Sequence, residues 1–157
     1  SNLYSGIHRF LRKDDRESGL PDDMTIVLCR FDPVSMRLYH AGAGNAIFHV
    51  TDGKISGNLS GMLSGGQISN GNYGFKTRTL QLDTHDVLYL CSDGFADQFG
   101  GGNHRRYGWN RLRDFLLEIS GHPMAEQGDM LYEELEQWRG ETDEDQTDDI
   151  TVIGIRV

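Results

Sequence analysis

The spacing of apolar residues along this chain changes period several times, and each change marks an element. Leu3, Ile7, Phe10 and Leu11 recur at helical spacing, and the polar stretch from Lys13 to Asp23, with Gly19 and Pro21, then stops the helix. Met24 to Phe31 and Met36 to Ala41 are β-rich runs separated by Asp32-Pro33-Val34-Ser35, where proline presets a turn, so together they predict a hairpin. Ala46 to Val50 predicts a further strand, and Asp52-Gly53 a tight turn from it into Ile55. Ser56 to Gly74 is rich in Gly, Ser and Asn with few apolar anchors and reads as a loop. Lys76 to Leu82 alternates as a half-buried strand does, whereas Val87 to Cys91 is almost continuously apolar, as a central strand is, with Asp83 to Asp86 as the turn between them.

That apolar run ends abruptly at Ser92-Asp93-Gly94, and Gly100 to Asn103 reads as a flexible connection. Trp109, Leu112, Phe115, Leu116 and Ile119 mark an amphipathic helix that Gly121 and Pro123 end. A second helix starts near Met124, carries Leu131, Leu135 and Trp138 on one face, and closes at Gly140. An acidic connection, Glu141 to Asp149, leads into the last β-rich run, Ile150 to Val157. Strands, then two helices, then one returning strand predict an α+β fold with a mostly antiparallel sheet and no internal repeat. The expected organisation is one domain over 1–157: a helix and linker (1–23), a sheet core (24–94), a flap and helical segment (95–140), and an acidic loop with the final strand (141–157).

Composition narrows the classes. With 37% hydrophobic and 25% charged residues the chain is expected to fold as a cytoplasmic-type protein, and no apolar run approaches the roughly 20 residues that span a bilayer. The 24 acidic against 15 basic side chains leave a formal net charge of -9, which repels phosphate backbones, so no nucleic-acid partner is expected. An acidic protein still handles phosphorylated substrates where metal ions invert the field locally. Cys29 and Cys91 each sit in a strand-like run at a spacing that matches no zinc or redox motif, and are expected reduced and buried.

Candidate chemistry gathers at strand ends. Asp93 follows Val87 to Cys91 and precedes a glycine, so a stiff element holds its carboxylate while Gly94 lets the backbone turn sharply. Asp148 and Asp149 stand immediately before the last strand, and if the two strands are antiparallel neighbours these aspartates reach the same sheet edge as Asp93. Magnesium and manganese want several oxygen ligands, and clustered carboxylates are tolerated when a divalent ion cancels their repulsion. Each aspartate alone is equally an ordinary turn or cap residue. The acidic run 143–149 is no calcium loop, because Asp148 stands where the sharp-turn glycine belongs and Gly154 where the bidentate glutamate belongs. His104, Arg105 and Arg106 form a compact basic patch that can hold a phosphate, or else is solvated loop charge. No Gly-x-Ser-x-Gly elbow is present, Ser92 has no evident base, and Gly61, Gly65 and Gly66 lack the lysine of a phosphate loop.

Together, the run from Asp86 to Gly101 (DVLYLCSDGFADQFGG) and Thr147 to Val157 (TDDITVIGIRV) resemble the SpoIIE-like branch of the protein phosphatase 2C family. Asp22-Asp23-Met24-Thr25 and His40-Ala-Gly-Ala-Gly-Asn45 look like the family's acidic segment and glycine-rich strand end, and the resemblance runs from about residue 3 to 157. It implies a mostly antiparallel β-sandwich flanked by helices, with two manganese or magnesium ions held by aspartates and a water attacking phosphoserine or phosphothreonine. Carried over by motif, Asp93 and Asp148 are the ligands of the catalytic metal centre, Gly94 sits at the site, and Asp149 supports it from the neighbouring position. Phe95 to Gly101 and residues 104–106, with Arg105 and Arg106, resemble the flap near the substrate. The resemblance further implies a phosphorylated regulatory partner of the anti-sigma-factor antagonist type.

One family feature is missing: the first metal motif, an aspartate followed by Gly-His-Gly, matches nothing here, since the only Gly-His pair, Gly121-His122, lacks the aspartate and follows the sheet core. The fold is therefore expected to be incomplete at its N-terminus, to bind metal weakly or not at all by itself, and to be catalytically poor. The alternative is a binding or regulatory module of the same fold with a degenerate metal site. Strand edges left open by the missing segment would also allow a homodimer.

Overall fold

The computed structural model describes residues 26–43, 46–57, 77–140 and 143–157. The helix and acidic segment expected within 1–25, residues 44 and 45, and most of the 56–74 loop lie outside the described residues. Strands β1 (Ile26–Asp32), β2 (Arg37–Ala43) and β5 (Arg78–Gln81) form one antiparallel sheet in the order β1-β2-β5. Strands β3 (Ala46–Thr51), β4 (Lys54–Ser56), β6 (Val87–Cys91) and β9 (Val152–Arg156) form a second, in the order β4-β3-β6-β9. The turns follow the expected chemistry. Val34 N and Ser35 N donate to Asp32 Oδ1 at 3.0 and 3.3 Å, and Asp52 and Gly53 both take positive φ, 49° and 67°, as a tight hairpin turn requires.

Alternation along the strands sorts their side chains onto two faces. Leu38 of β2, Leu82 and Leu88 of β6 pack between the sheets, with Cys29, Leu80 and Val157 against them. Ala46, Phe48, Val50, Val87, Tyr89 and Cys91 point from the second sheet's other face onto two helices, α2 (Trp109–Ile119) and α3 (Met124–Gly140), which bury Leu112, Leu116, Ile119, Leu135 and Trp138 against it. The architecture of the described residues is thus α+β with antiparallel sheets, as the sequence pattern predicts, and a two-sheet sandwich with helices on one face, in line with what the resemblance implies. β3 is buried along both faces, which leaves His49 inside; its Nε2 meets Asp86 Oδ2 at 2.7 Å, and Asp83 N donates to the same oxygen at 2.9 Å. Burial pushes the Asp86 carboxyl up, and the bonds from Asp83, His49 and Thr51 outweigh it, so the group lies below its ordinary value.

The structure differs from the sequence reading in several places. The last strand begins at Val152 rather than Ile150, because Asp149 and Ile150 turn in toward Gly94 before pairing starts. Cys91 is buried but Cys29 is only half-buried, since β1 is an edge strand among the described residues; both thiols are free. A helical turn, α1 (Gly94–Asp97), and a two-stranded ribbon, β7 (Phe99–Gly100) with β8 (Arg105–Arg106), follow β6 where no element was expected.

Gly100 to Asn103 is a tight turn under Trp138 rather than a flexible connection. Gly101 N donates to Trp138 O at 2.9 Å, Gly101 has φ 62°, and a Cβ on it would lie 2.5 Å from the Trp138 ring. Gly101→Ala is therefore expected to lower stability by about 2–3 kcal/mol, from left-handed strain plus ring overlap. Gly102→Ala, whose Cβ meets nothing within 4 Å, is expected to stay within about 0.5 kcal/mol. Urea unfolding of the two variants beside the parent checks this, and equal midpoints would refute the packing argument.

Candidate functional site

Strands β6 and β9 run antiparallel, with Cys91 opposite Val152, so the residues beyond the end of β6 and those before the start of β9 emerge at one edge of the sheet. Ser92 ties the two segments together. Its N–H donates to Thr151 O at 2.9 Å, its Oγ accepts from Thr151 N at 2.9 Å, and the same hydroxyl donates to Asp149 O at 3.3 Å. Ser92 is thereby committed to structure.

Asp93 precedes α1, and Asp97 N donates to Asp93 O at 2.9 Å. Aspartate at a helix start ordinarily caps a backbone N–H, yet the Asp93 side chain makes no cap bond. Gly94 is buried against the backbone of Asp149: a Cβ on it would stand 2.4 Å from Asp149 O and 3.0 Å from its carbonyl carbon. Gly94 has the ordinary backbone of a helical residue, with no positive φ, so glycine is required there by close approach and not, as the sequence suggested, by a sharp turn. The structure thus brings Asp93 and Gly94 against the Asp148–Asp149 segment, the juxtaposition that antiparallel neighbours would produce.

Asp148 and Asp149 are exposed and Asp93 half-exposed. Asp148 Oδ1 accepts from Asp149 N at 2.8 Å, and Asp148 O accepts from Gln146 Nε2 at 2.7 Å. No ion pair among the described residues involves Asp93, Asp148 or Asp149. Carboxylates without a cationic partner among the described residues, gathered at one sheet edge, are the oxygen-donor chemistry that a hard divalent ion takes. Among the described residues no three His, Cys, Asp or Glu side chains converge on one point, so these donors fit part of such a centre.

Nearby groups are excluded from nucleophilic chemistry or engaged elsewhere. Burial pushes the Cys91 thiol up to about 12, so it stays protonated at neutral pH and is no nucleophile. Phe95, Ala96 and Gln98 are buried and Gly100 and Gly101 lie under Trp138, while Asp97 is half-buried and Phe99 exposed, so 95–101 is anchored to the core through most of its length. Residues 102–106 are all exposed. Among them His104 Nδ1 pairs with Glu144, and Arg106 Nη1 donates to Asp97 Oδ1 at 3.0 Å while its guanidinium lies 5.6 Å from the centre of the Phe99 ring. Arg105 is exposed on β8, and no ion pair among the described residues engages it.

A residue that motif reasoning passed over stands beneath the site. Gln98 is 0% exposed and bonds through its side-chain amide to the segment before Asp148. The only signal in the sequence was an uncharged polar residue in an otherwise buried turn.

The family model described as Stage II sporulation protein E (SpoIIE) matches residues 2–157. No curated protein compared with the chain matches it. Among solved structures, the SiaA-PP2C domain of Pseudomonas aeruginosa is similar at 27% identity and a TM-score of 0.72, over 83% of this chain and 50% of its own. The RsbU and RsbW domains of Rv1364c from Mycobacterium tuberculosis align at 19% identity and a TM-score of 0.65, over 99% of this chain and 41% of theirs. The catalytic domain of the serine threonine protein phosphatase PstP, in complex with two manganese ions, aligns at 18% identity and a TM-score of 0.64, over 96% of this chain and 64% of its own. At that identity the last two speak for the fold alone. The chain spans less than two thirds of each of these structures.

Proposed function

The chain belongs to the SpoIIE family, and from that premise we propose that it forms part of a metal-dependent protein phosphatase domain, extending over 1–157, that hydrolyses phosphoserine or phosphothreonine on a regulatory protein. The observation that carries the reading is the close approach of Gly94 to the Asp149 backbone, which sets the segments of Asp93 and Asp148 side by side at one sheet edge, where carboxylates stand without cationic partners among the described residues. In this reading Asp93 and Asp148 hold the metal, Gly94 lets their segments approach, and Asp149 supports the arrangement. Two manganese or magnesium ions there would supply an acidified water and charge neutralisation at the phosphoryl oxygens. Arg105, exposed and outside any ion pair among the described residues, is the better candidate to contact a substrate phosphate; Arg106 is already engaged by Asp97.

The family and the fold shared with the RsbU and RsbW domains support a phosphorylated partner of the anti-sigma-factor antagonist type, and a cytoplasmic setting goes with it. No helix among the described residues is long and apolar enough to cross a membrane. A second reading, a binding module with a degenerate metal site, draws on the lack of a third converging donor among the described residues. Manganese titration of the full-length protein by calorimetry, with phosphopeptide hydrolysis on the same samples, separates the two. Saturable binding with hydrolysis is expected; a flat titration at millimolar manganese would favour the module.

We also propose self-association through the sheet edges that are open among the described residues, because β1 exposes Leu28 and Phe31 and β9 exposes Ile153 and Ile155. Light scattering that gave the monomer mass at all concentrations would refute it.

A further inference from the structure

We propose that Gln98 is a positioning residue whose side-chain amide holds the Asp148–Asp149 segment in place against Asp93. The inference rests on the metal-centre reading.

Gln98 sits directly after α1, the turn that Asp93 opens, and its backbone carbonyl is pinned from two sides. Tyr107 N donates to it at 2.9 Å and Trp138 Nε1 at 3.2 Å. The side chain is thereby aimed at the acidic segment. Its Nε2 donates to Asp145 O at 2.9 Å and to Phe99 O at 3.0 Å, and its Oε1 accepts from Thr147 N at 3.3 Å. Every hydrogen of the amide nitrogen is used, and the amide takes the carbonyl of one residue and the N–H two residues on, much as a neighbouring strand would.

That segment has little else to hold it. Residues 145–149 are exposed and belong to no helix or strand. Upstream, Glu144 N donates to Arg139 O at 3.2 Å and Arg139 Nε to Glu144 O at 3.1 Å; downstream, Ser92 Oγ donates to Asp149 O. Between these ties, Gln98 is the one side chain among the described residues that reaches the segment from elsewhere in the fold. Its bond to Thr147 N lies one residue before Asp148, so the amide sets where that carboxylate starts.

Only an amide does this. Glutamate of the same shape offers acceptors alone and would face the Asp145 and Phe99 carbonyls. Methionine fills the volume but leaves the Asp145 carbonyl and the Thr147 N–H without their partner. Groups that orient a metal ligand typically carry about 10–100-fold in metal affinity.

The test compares the full-length parent with Gln98→Met and with Leu112→Ala, a buried core variant outside the acidic segment that serves as a control for lost stability. Manganese affinity is read by calorimetry below the melting temperature of all three, and amide exchange is read at Thr147. The expected result is affinity weakened about 10–100-fold and Thr147 exchange accelerated in Gln98→Met, with both unchanged in Leu112→Ala. Parent-like affinity in Gln98→Met overturns the proposal, and so does an equal loss in Leu112→Ala. A parent that takes up no manganese overturns the metal-centre reading, and this inference with it; a parent that binds while Gln98→Met binds equally overturns this inference alone. Should Gln98→Met fail to fold, the parent decides: Thr147 N–H must exchange at least about 10-fold more slowly than Gln146 N–H, and equal rates overturn the proposal.

Discussion

Replacing Asp93 and Asp148 together by asparagine is expected to abolish manganese uptake and phosphopeptide hydrolysis while leaving the metal-free protein as stable as the parent or more so. Asparagine keeps the shape and removes the charge. If groups that merely orient a ligand carry about 10–100-fold in affinity, losing two direct ligands costs at least about 100-fold each. The stability half of the expectation follows from electrostatics. Asp93, Asp148 and Asp149 are brought to one edge without an ion-pair partner among the described residues, so neutralising two of them relieves repulsion. A structural role predicts the opposite sign. Melting curves without metal, beside calorimetry with it, separate the cases: a variant that melts well below the parent would make these aspartates part of the scaffold, and one that still binds manganese would end the assignment.

Gly94→Ala is expected to have the next largest effect. A Cβ at that position stands 2.4 Å from a backbone carbonyl oxygen, and the carbonyl cannot retreat freely because Ser92 holds both Asp149 and Thr151. Forcing a methyl group into such a contact costs about 3 kcal/mol, which in a domain of this size lowers the melting temperature by about 6–12 °C. The larger consequence is geometric, since the overlap is relieved only by moving Asp149 and its neighbour Asp148 away from Asp93. A displacement of about 1 Å in a reacting constellation costs on the order of 100-fold in rate. Hydrolysis and thermal unfolding of the variant are both expected to fall; a parent-like protein in both would show that the two segments do not meet in this way.

Much of the fold and of the candidate site is legible in the chain's local patterns. Val87–Cys91 reads as a central strand from its unbroken apolar run and is one, and Trp109–Ile119 and Met124–Gly140 announce themselves by helical spacing and by their Gly and Pro stops. Asp93 and Asp148 stand out because each flanks a strand, and antiparallel pairing of β6 with β9 brings their segments to one edge. The short elements after Gly94 are not legible. A four-residue turn and a two-residue ribbon carry no periodicity, and they form because Phe95, Tyr107 and Trp138 stack edge to face, with ring centres 5.0 and 5.4 Å apart, around a turn that needs glycine.

By itself the sequence determined the order of the longer elements, the apolar face of the helices, and the carboxylates at two strand ends, because these are local: a side chain's period and its neighbours on the chain suffice to state them. Tertiary structure alone decided which strands became neighbours beyond the two hairpins, why Gly94, Gly100 and Gly101 must be glycine, and that Gln98 fastens the acidic segment. Those depend on contacts between residues far apart in the chain, where a glycine kept for close approach looks the same as one kept for a turn, and a glutamine amide gives no sign of which backbone groups it will meet.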